Sequence, residues 1–539
     1  MRVMERSSPA ATDGGAACPA DPDGADSRAA TAAGPGPEAV EAVRSASELP
    51  GMEHAWTTLG GDAALLERVS CRVRPGLLPA RLPVLGLARA TVAACSLAAA
   101  ELSALRAGNS SSGAAAASRV PSVQVDDGAV ATAFTSERHL RTDGHAPAGF
   151  APLSRFWPTA DGWLRTHANY PHHRARMLSA LGVSETGRDE GALAEAVTSE
   201  LAQRAATEVE ERVHAAGGLA VAVRSAAEWA EHPQGAEAAR RPLLNTARMD
   251  QAPPLPLPGA FGHRPLHSVR VLDLTRVIAG PVATRTLALL GADVLRIDAP
   301  QLPEQPEAHA DTGMGKRSAL LDLSSRAGQA AFEELLQKAH VVITGYRPGA
   351  LDRFGLAPES LADRRPGIVV GQLSAWGPHG PWRRRRGFDS LVQTASGIAF
   401  VERRPGPGGE DAPGVLPAQA LDHGTGYLLA AAVLRSLTEQ RRGRAGSVLV
   451  RAALTQTAQW LLGGLSSQPD GPRPPASEPA PPADGSPGSA PYDPSPWLNE
   501  TRSPLGRLRY ALPPLAYDGG PSDWSRPPGA LGADPVAWW

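Results

Sequence analysis

Between Val269 and Asp298 the chain reads VRVLDL, TRVIAGP, VATRTLALLGA and DVLRID in succession. That is a short β-branched run, a turn, a stretch with apolar residues at helical spacing, and a second short run of strand type. Two strands joined by a helix in this way pair in parallel through a right-handed crossover, which calls for a sheet covered by helices. SALLDL (Ser318 to Leu323), HVVITG (His340 to Gly345) and GIVVGQLSA (Gly367 to Ala375) repeat the strand signal, alternating with helical segments such as AFEELLQKA. The expected fold class is α/β: an open parallel, Rossmann-like nucleotide-type sheet accompanied by a smaller mixed α+β domain.

At 539 residues the chain is too long for one typical core, and its composition marks the breaks. Residues 1–50 are Ala, Gly, Pro, Asp and Ser with few large apolar side chains, so they are expected to stay disordered. Residues 51–250 form a first block that reads as mainly helical, with FWPTADGWLRTHANYP as a hairpin around an Ala-Asp-Gly turn. Residues 251–266 are a proline-rich join, and residues 267–465 form the second, α/β block. Residues 466–497 are a proline-dense linker, and the Trp-rich tail 498–539 is expected to dock on the first block.

Charged residues are 20% of the chain and the formal net charge is -2, a field too weak to argue for nucleic acid or a membrane surface. The apolar stretch from Pro83 to Leu105 carries Arg89 and Glu101, and MRVMERSSPAATDGG lacks the apolar core of a secretory signal, so no membrane segment is expected. Cys18, Cys71 and Cys95 are odd in number and form no CxxC pair, which fits a reduced, cytoplasmic setting. His167, His172 and His173 have no carboxylate or cysteine at ligand spacing beside them, so they read as loop polarity and no metal is expected.

In a doubly wound sheet, ligands bind at the carboxyl ends of the strands. Ala279-Gly280-Pro281 lies at such an end; glycine allows close backbone approach and proline can start a helix without forfeiting a bonded donor. On their own, however, these three residues are better accounted for by a tight turn from strand to helix.

Five segments in order are more specific: VRVLDLTRVIAGPVATRTLALLGADVLRID, GKRSALLDL, YRPGALDRFGL, GFDSLVQTASG and LPAQALDHGTGYLLAAA. Together they resemble the class III CoA-transferase family, of the carnitine dehydratase and bile-acid-inducible type. The resemblance implies an acyl-CoA:carboxylate CoA-transferase. Its nucleophile would be Asp422, in Ala420-Leu421-Asp422-His423-Gly424. A carboxylate can attack a thioester to give a mixed anhydride and then an aspartyl thioester, dividing one difficult exchange into easier steps. Gly424 and Gly426 are candidate oxyanion donors; helix capping is the alternative role for Asp422.

The same likeness places CoA contacts at Ile278 and Ala279, at Leu321, Asp322 and Leu323, at Gly345, Tyr346 and Arg347, and at Arg353 and Arg386, with Asp389 as an acidic neighbour of the active site. Of Arg383 to Arg386, three are expected to be solvated loop charges. The implied ligands are coenzyme A or acyl-CoA, as substrate, and a carboxylic acid. A homodimer is the family's habit, and no nucleic acid, membrane or metal partner is expected. The resemblance gives residues 51–250 the role of the small substrate-type domain and residues 267–465 that of the CoA-binding catalytic domain.

Three departures bear on function. Related 2-methylacyl-CoA racemases place a histidine where this chain has Phe388, which cannot move protons, although His423 keeps a racemase or isomerase in view. PQLPEQPEAHADTGMG offers no arginine before Lys316, so a phosphate contact is missing or supplied elsewhere. The segment resembling the small domain, GFAPLSRFWPTADGWLRTHANYPHHRARMLSALG, precedes the sheet, as in a permuted or fused half-repeat, and the family's glycine-rich loop is reduced to DGHAPAGF. These departures leave a catalytically inactive CoA-binding protein as a further alternative.

Overall fold

The computed structural model describes residues 42–108, 119–257, 264–302, 304–406, 411–444, 446–466 and 492–539. The expected disorder of residues 1–41 and the core of the proline-rich linker, residues 467–491, lie outside the described residues.

In the first block, Ala42–Ser45 pairs antiparallel with β1 (Val69–Val73), and β1 pairs in parallel with β2 (Val123–Asp126). This corrects the expectation of disorder up to residue 50: a sheet partner satisfies the backbone, and Glu48 and Ser45 close a capping box behind it. Helix α1 (Val84–Arg106) crosses between β1 and β2, and the short helices α2 (Asp127–Phe134) and α3 (Ser136–His139) follow. The expected hairpin forms as β3 (Phe156–Pro158) and β4 (Trp163–Thr166), joined by β5 (Ala220–Ala222) and packed under helices at Pro171–Leu181, Glu190–Leu201 and Ala206–Ala215. Then comes β6 (Leu244–Arg248).

The second block supplies β7 (Arg270–Leu274), β8 (Asp293–Asp298), β9 (Arg317–Leu320), β10 (Val341–Thr344), β11 (Val369–Ser374) and β12 (Val448–Ala453). They pair in parallel in the order β9-β8-β7-β10-β11-β12, and β6 of the first block adds antiparallel beside β12 to make seven strands. The six parallel strands thus run 3-2-1-4-5-6 in chain order, the doubly wound arrangement, with its reversal between β7 and β10. The expected α/β class with a smaller mixed domain is the fold observed.

Helices α4 (Ala279–Leu289), α5 (Asp389–Ser396), α6 (Ala420–Arg441) and α7 (Leu454–Leu462) complete the part that concerns function. Helix α6 is buried along almost its whole length because α1, α4 and the sheet surround it. Gly426 permits one of these approaches: a Cβ there would stand 2.6 Å from the Ala279 carbonyl oxygen and 2.9 Å from Val282 Cβ. Charges inside this layer are paired, Arg435 with Glu101 and Arg89 with Asp127. Helix α1 is long and apolar enough to cross a membrane, but 89% of that window is buried inside the protein.

The tail does not dock on the first block alone. Its hairpin, Leu498–Ser503 with Gly506–Ala511, pairs with Arg141–Thr142 of the first block. Its tryptophans go to the second: Trp524 donates to the Arg285 carbonyl at 2.8 Å and Trp538 to the Leu335 carbonyl at 2.9 Å.

Candidate functional site

The first three N–H groups of α6 have no acceptor within their own helix, and the residue preceding it, Gln419, provides no side-chain cap. The His423 N–H already reaches the Gln419 carbonyl at 3.1 Å. Asp389, the first residue of α5, fills the gap: its Oδ2 accepts the Asp422 N–H at 2.9 Å, and Gln393 Nε2 donates to its other oxygen. Gln393 is held in turn by accepting the Leu416 N–H at 3.0 Å. The capping carboxylate is therefore Asp389, not Asp422.

This leaves the Asp422 side chain uncommitted. It is 6% exposed, yet no hydrogen bond or ion pair to its carboxyl is found among the described residues. Burial, and then the charge of Asp389, hold Asp422 well above the usual carboxylate range. Burial also pushes Asp389 up to about 6, against the opposing effect of the N–H groups it accepts. Two coupled carboxyls of this kind cannot both ionise cheaply, and one of them is free to react.

Gly424 and Gly426 do not fit the expected oxyanion role. Both lie beyond the unpaired first turn of α6, so their N–H groups belong to the helix ladder. Their missing Cβ atoms serve packing instead, Gly424 against Leu87 of α1 and Gly426 against α4. His423 faces the first block: its ring stacks on Phe134 at 5.2 Å between centroids and its Nε2 lies 3.9 Å from Glu137.

The expected CoA contacts lie along the carboxyl ends of the parallel strands. Ile278 and Ala279 begin α4 just after β7, and Gly345, Tyr346 and Arg347 follow β10, so these two groups flank the reversal of strand order. Leu321, Asp322 and Leu323 follow β9 at the far side of the sheet, where Asp322 Oδ1 accepts the Ser324 N–H and shapes a turn. Arg347 and Arg353 are exposed and Arg386 is half-buried. Burial lowers the Arg386 guanidinium, and the like charges of Arg347 and Arg176 add to that, so these cations face a common region. Arg383 and Arg384 are solvated as expected, whereas Arg385 is bound to Glu211 of the first block at 2.7 Å.

The unmatched loop after β8 brings in Glu304, which sequence reasoning missed. It is fully buried, 3.4 Å from both Arg276 and Arg296, and accepts the Tyr170 hydroxyl at 2.7 Å. It also accepts the N–H of Val277, a β-branched residue held at φ 70°, at 3.2 Å. Lys316 is committed as well, donating to Asp273 at 3.0 Å and to the Pro281 carbonyl at 3.0 Å. It is not placed to replace the missing phosphate contact.

The histidines of the first block are not loop polarity. His167 and His173 are each 4% exposed, and His167 stacks on Phe388 with ring centroids 3.8 Å apart and planes 3° from parallel. Burial drives both to about 3, so they are neutral imidazoles. No group of three or more metal-ligating side chains occurs among the described residues.

Comparison with known proteins gives a match of residues 266–494 to CoA-transferase family III. A probable fatty acyl-CoA transferase of Mycobacterium tuberculosis is 32% identical over 218 residues, covering 38% of this chain and 54% of that protein. An acyl-CoA transferase of Gibberella moniliformis is 30% identical over 314 residues, covering 56% of this chain and 54% of that protein. The crystal structure of a CaiB/BaiF family protein from Brucella suis aligns at 25% identity and a TM-score of 0.34, over 38% of this chain and 58% of that one. The chain spans about half the length of these curated relatives.

Proposed function

We propose that this chain, whose residues 266–494 match CoA-transferase family III, moves coenzyme A between carboxylic acids through a covalent intermediate on Asp422. The observation that carries the reading is a buried carboxyl in the first turn of α6, left without a partner because a second carboxyl, Asp389, has taken over the helix cap.

In the proposed sequence the Asp422 carboxylate attacks the thioester carbonyl of an acyl-CoA, expelling the CoA thiolate and forming a mixed anhydride. The thiolate attacks the Asp422 carbonyl, which releases the donor acid and leaves an aspartyl thioester. The acceptor carboxylate attacks that thioester, giving a new mixed anhydride and thiolate. Attack of the thiolate on the acyl carbonyl then yields the new acyl-CoA and restores Asp422. The helix N-terminus favours negative charge at Asp422, and Asp389 keeps the first turn of α6 in place throughout.

CoA would lie across the reversal between β7 and β10, where Ile278, Ala279, Gly345 and Tyr346 present backbone, with Arg347, Arg353 and Arg386 as phosphate partners. The test is mass spectrometry of the intact protein after incubation with a panel of acyl-CoAs and a hydroxylamine quench. A hydroxamate mapped to Asp422 is the expected result. CoA binding with no adduct from any donor would overturn the covalent mechanism.

A further inference from the structure

Strand β4 of the first block carries a second anomaly. Arg165 is 8% exposed, its Nε has no hydrogen-bond partner among the described residues, and its guanidinium lies 4.6 Å from the centre of the Phe156 ring and 5.7 Å from that of Phe150. An aromatic face replaces part of the lost water but accepts none of the in-plane N–H bonds of the fork. Leaving a buried cation in this state is unfavourable unless something completes it.

The surroundings repeat the pattern. His167, two residues on and so on the same side as Arg165, has an unpartnered Nδ1 and lies flat on Phe388; His173 has both ring nitrogens unpartnered, 6.1 Å from the same phenyl ring. Phe388 immediately precedes Asp389, the residue that holds the Asp422 backbone. Three buried side chains from outside the matched segment 266–494 thus have unpartnered nitrogens, two of them, His167 and His173, against Phe388, and the third, Arg165, two residues before His167. Asp389 also contributes a favourable charge interaction to Arg165.

We propose that Arg165, with His167 and His173, receives a second carboxylate on the transferred acyl group, so that this enzyme selects dicarboxylic over monocarboxylic acids. The inference rests on Asp422 as the acylated residue, because that puts the acyl chain beside Phe388. Arginine is suited to the role: its fork takes a carboxylate through two parallel bonds, and the neutral imidazoles can add a donor without adding charge.

The experiment compares kcat/KM for succinyl-CoA and butyryl-CoA, which differ in a terminal carboxylate against a methyl group, in the wild type, Arg165→Met and Arg165→Lys. The expected result is a preference for succinyl-CoA of about tenfold or more in the wild type, the size of a charged hydrogen bond. It should fall towards unity in Arg165→Met and be partly rescued in Arg165→Lys. A wild type without the preference, or an Arg165→Met protein that keeps it, overturns the inference. Should Arg165→Met not fold, by near-UV circular dichroism, Arg165→Lys and His173→Leu decide in the same way.

Failure of hydroxamate formation with both donors would sink the Asp422 mechanism separately. Calorimetric titration of Asp422→Asn protein, with Arg165 intact or replaced, then decides. Tighter binding of succinyl-CoA that is lost with Arg165 sustains the inference, and equal affinities overturn it.

Discussion

Asp389 Oδ2 lies 2.9 Å from the backbone nitrogen of Asp422, so one carboxyl holds the helix while the other stays free. Burying the free one costs stability. Asp422→Asn removes a charge that has no partner and is opposed by Asp389, and is expected to raise Tm by roughly 2 °C or more while abolishing transfer. Differential scanning calorimetry beside a turnover assay checks this. A lower Tm would mean that Asp422 has a structural partner.

The pair also sets a pH dependence. Asp389 stands near 6 and Asp422 well above the usual range, so the folded protein binds more protons than the unfolded chain once pH exceeds the unfolded value of about 4. Stability is then fully present below that value and is lost as pH rises through the folded values. Thermal scans from pH 4 upwards should show this contribution declining, and the decline should be smaller in Asp422→Asn. Adduct formation needs the ionised form, so its rate should rise with pH over the same interval and beyond.

The two glycines of α6 should respond differently to alanine. At Gly426 the new methyl would meet the Ala279 carbonyl at 2.6 Å, a backbone atom that cannot turn aside, and a loss of about 1–3 kcal/mol is expected. At Gly424 the nearest atom is Leu87 Cδ2 at 3.3 Å, a side chain that can shift, and alanine restores helix propensity worth up to about 1 kcal/mol. Chemical denaturation of both variants checks the contrast: Gly424→Ala close to wild type, Gly426→Ala clearly weaker.

By the resemblance, Phe388 stands where racemases carry the histidine that moves the α-proton, and the imidazole stacked on it, His167, is driven down to about 3 by burial. Incubation of 2-methylacyl-CoA in heavy water should therefore give no deuterium at the α-carbon by mass spectrometry. Enzyme-dependent incorporation would favour the racemase alternative.

Glu304 is the remaining test of the site's frame. Glu304→Leu leaves Arg276 and Arg296 without this anion inside the protein, and a loss of about 3–5 kcal/mol is expected by denaturation.

How much of this was legible beforehand follows the range of each interaction. The strand, helix, strand unit from Val269 to Asp298 depends on local period, and it forms where the pattern places it. The resemblance indicated Asp422 and Asp389 as acidic positions, but the hydrogen bond between them spans 33 residues and reverses which one caps the helix. Glu304 lies in the loop that departs from the family pattern, so likeness offered nothing there; an acid among prolines after a strand was the only signal. His167 and His173 were misjudged because burial by Phe388, more than two hundred positions away, leaves no trace in local polarity. The glycines were assigned by their motif, and only the approach of α4 and α1 reveals them as contact points.

The antiparallel strand β6 has a consequence for how the polypeptide can be divided. It pairs with β12 from Val448↔Arg248 to Ala452↔Leu244. A fragment limited to the matched residues 266–494 would leave the outer backbone groups of β12 unpaired, a template for strand addition from another copy. Such a fragment should aggregate before its chemistry can be assayed, while one beginning ahead of Leu244 keeps that border closed. The first block thus acts as a guard on the parallel sheet, a role separate from anything it contributes to substrate recognition.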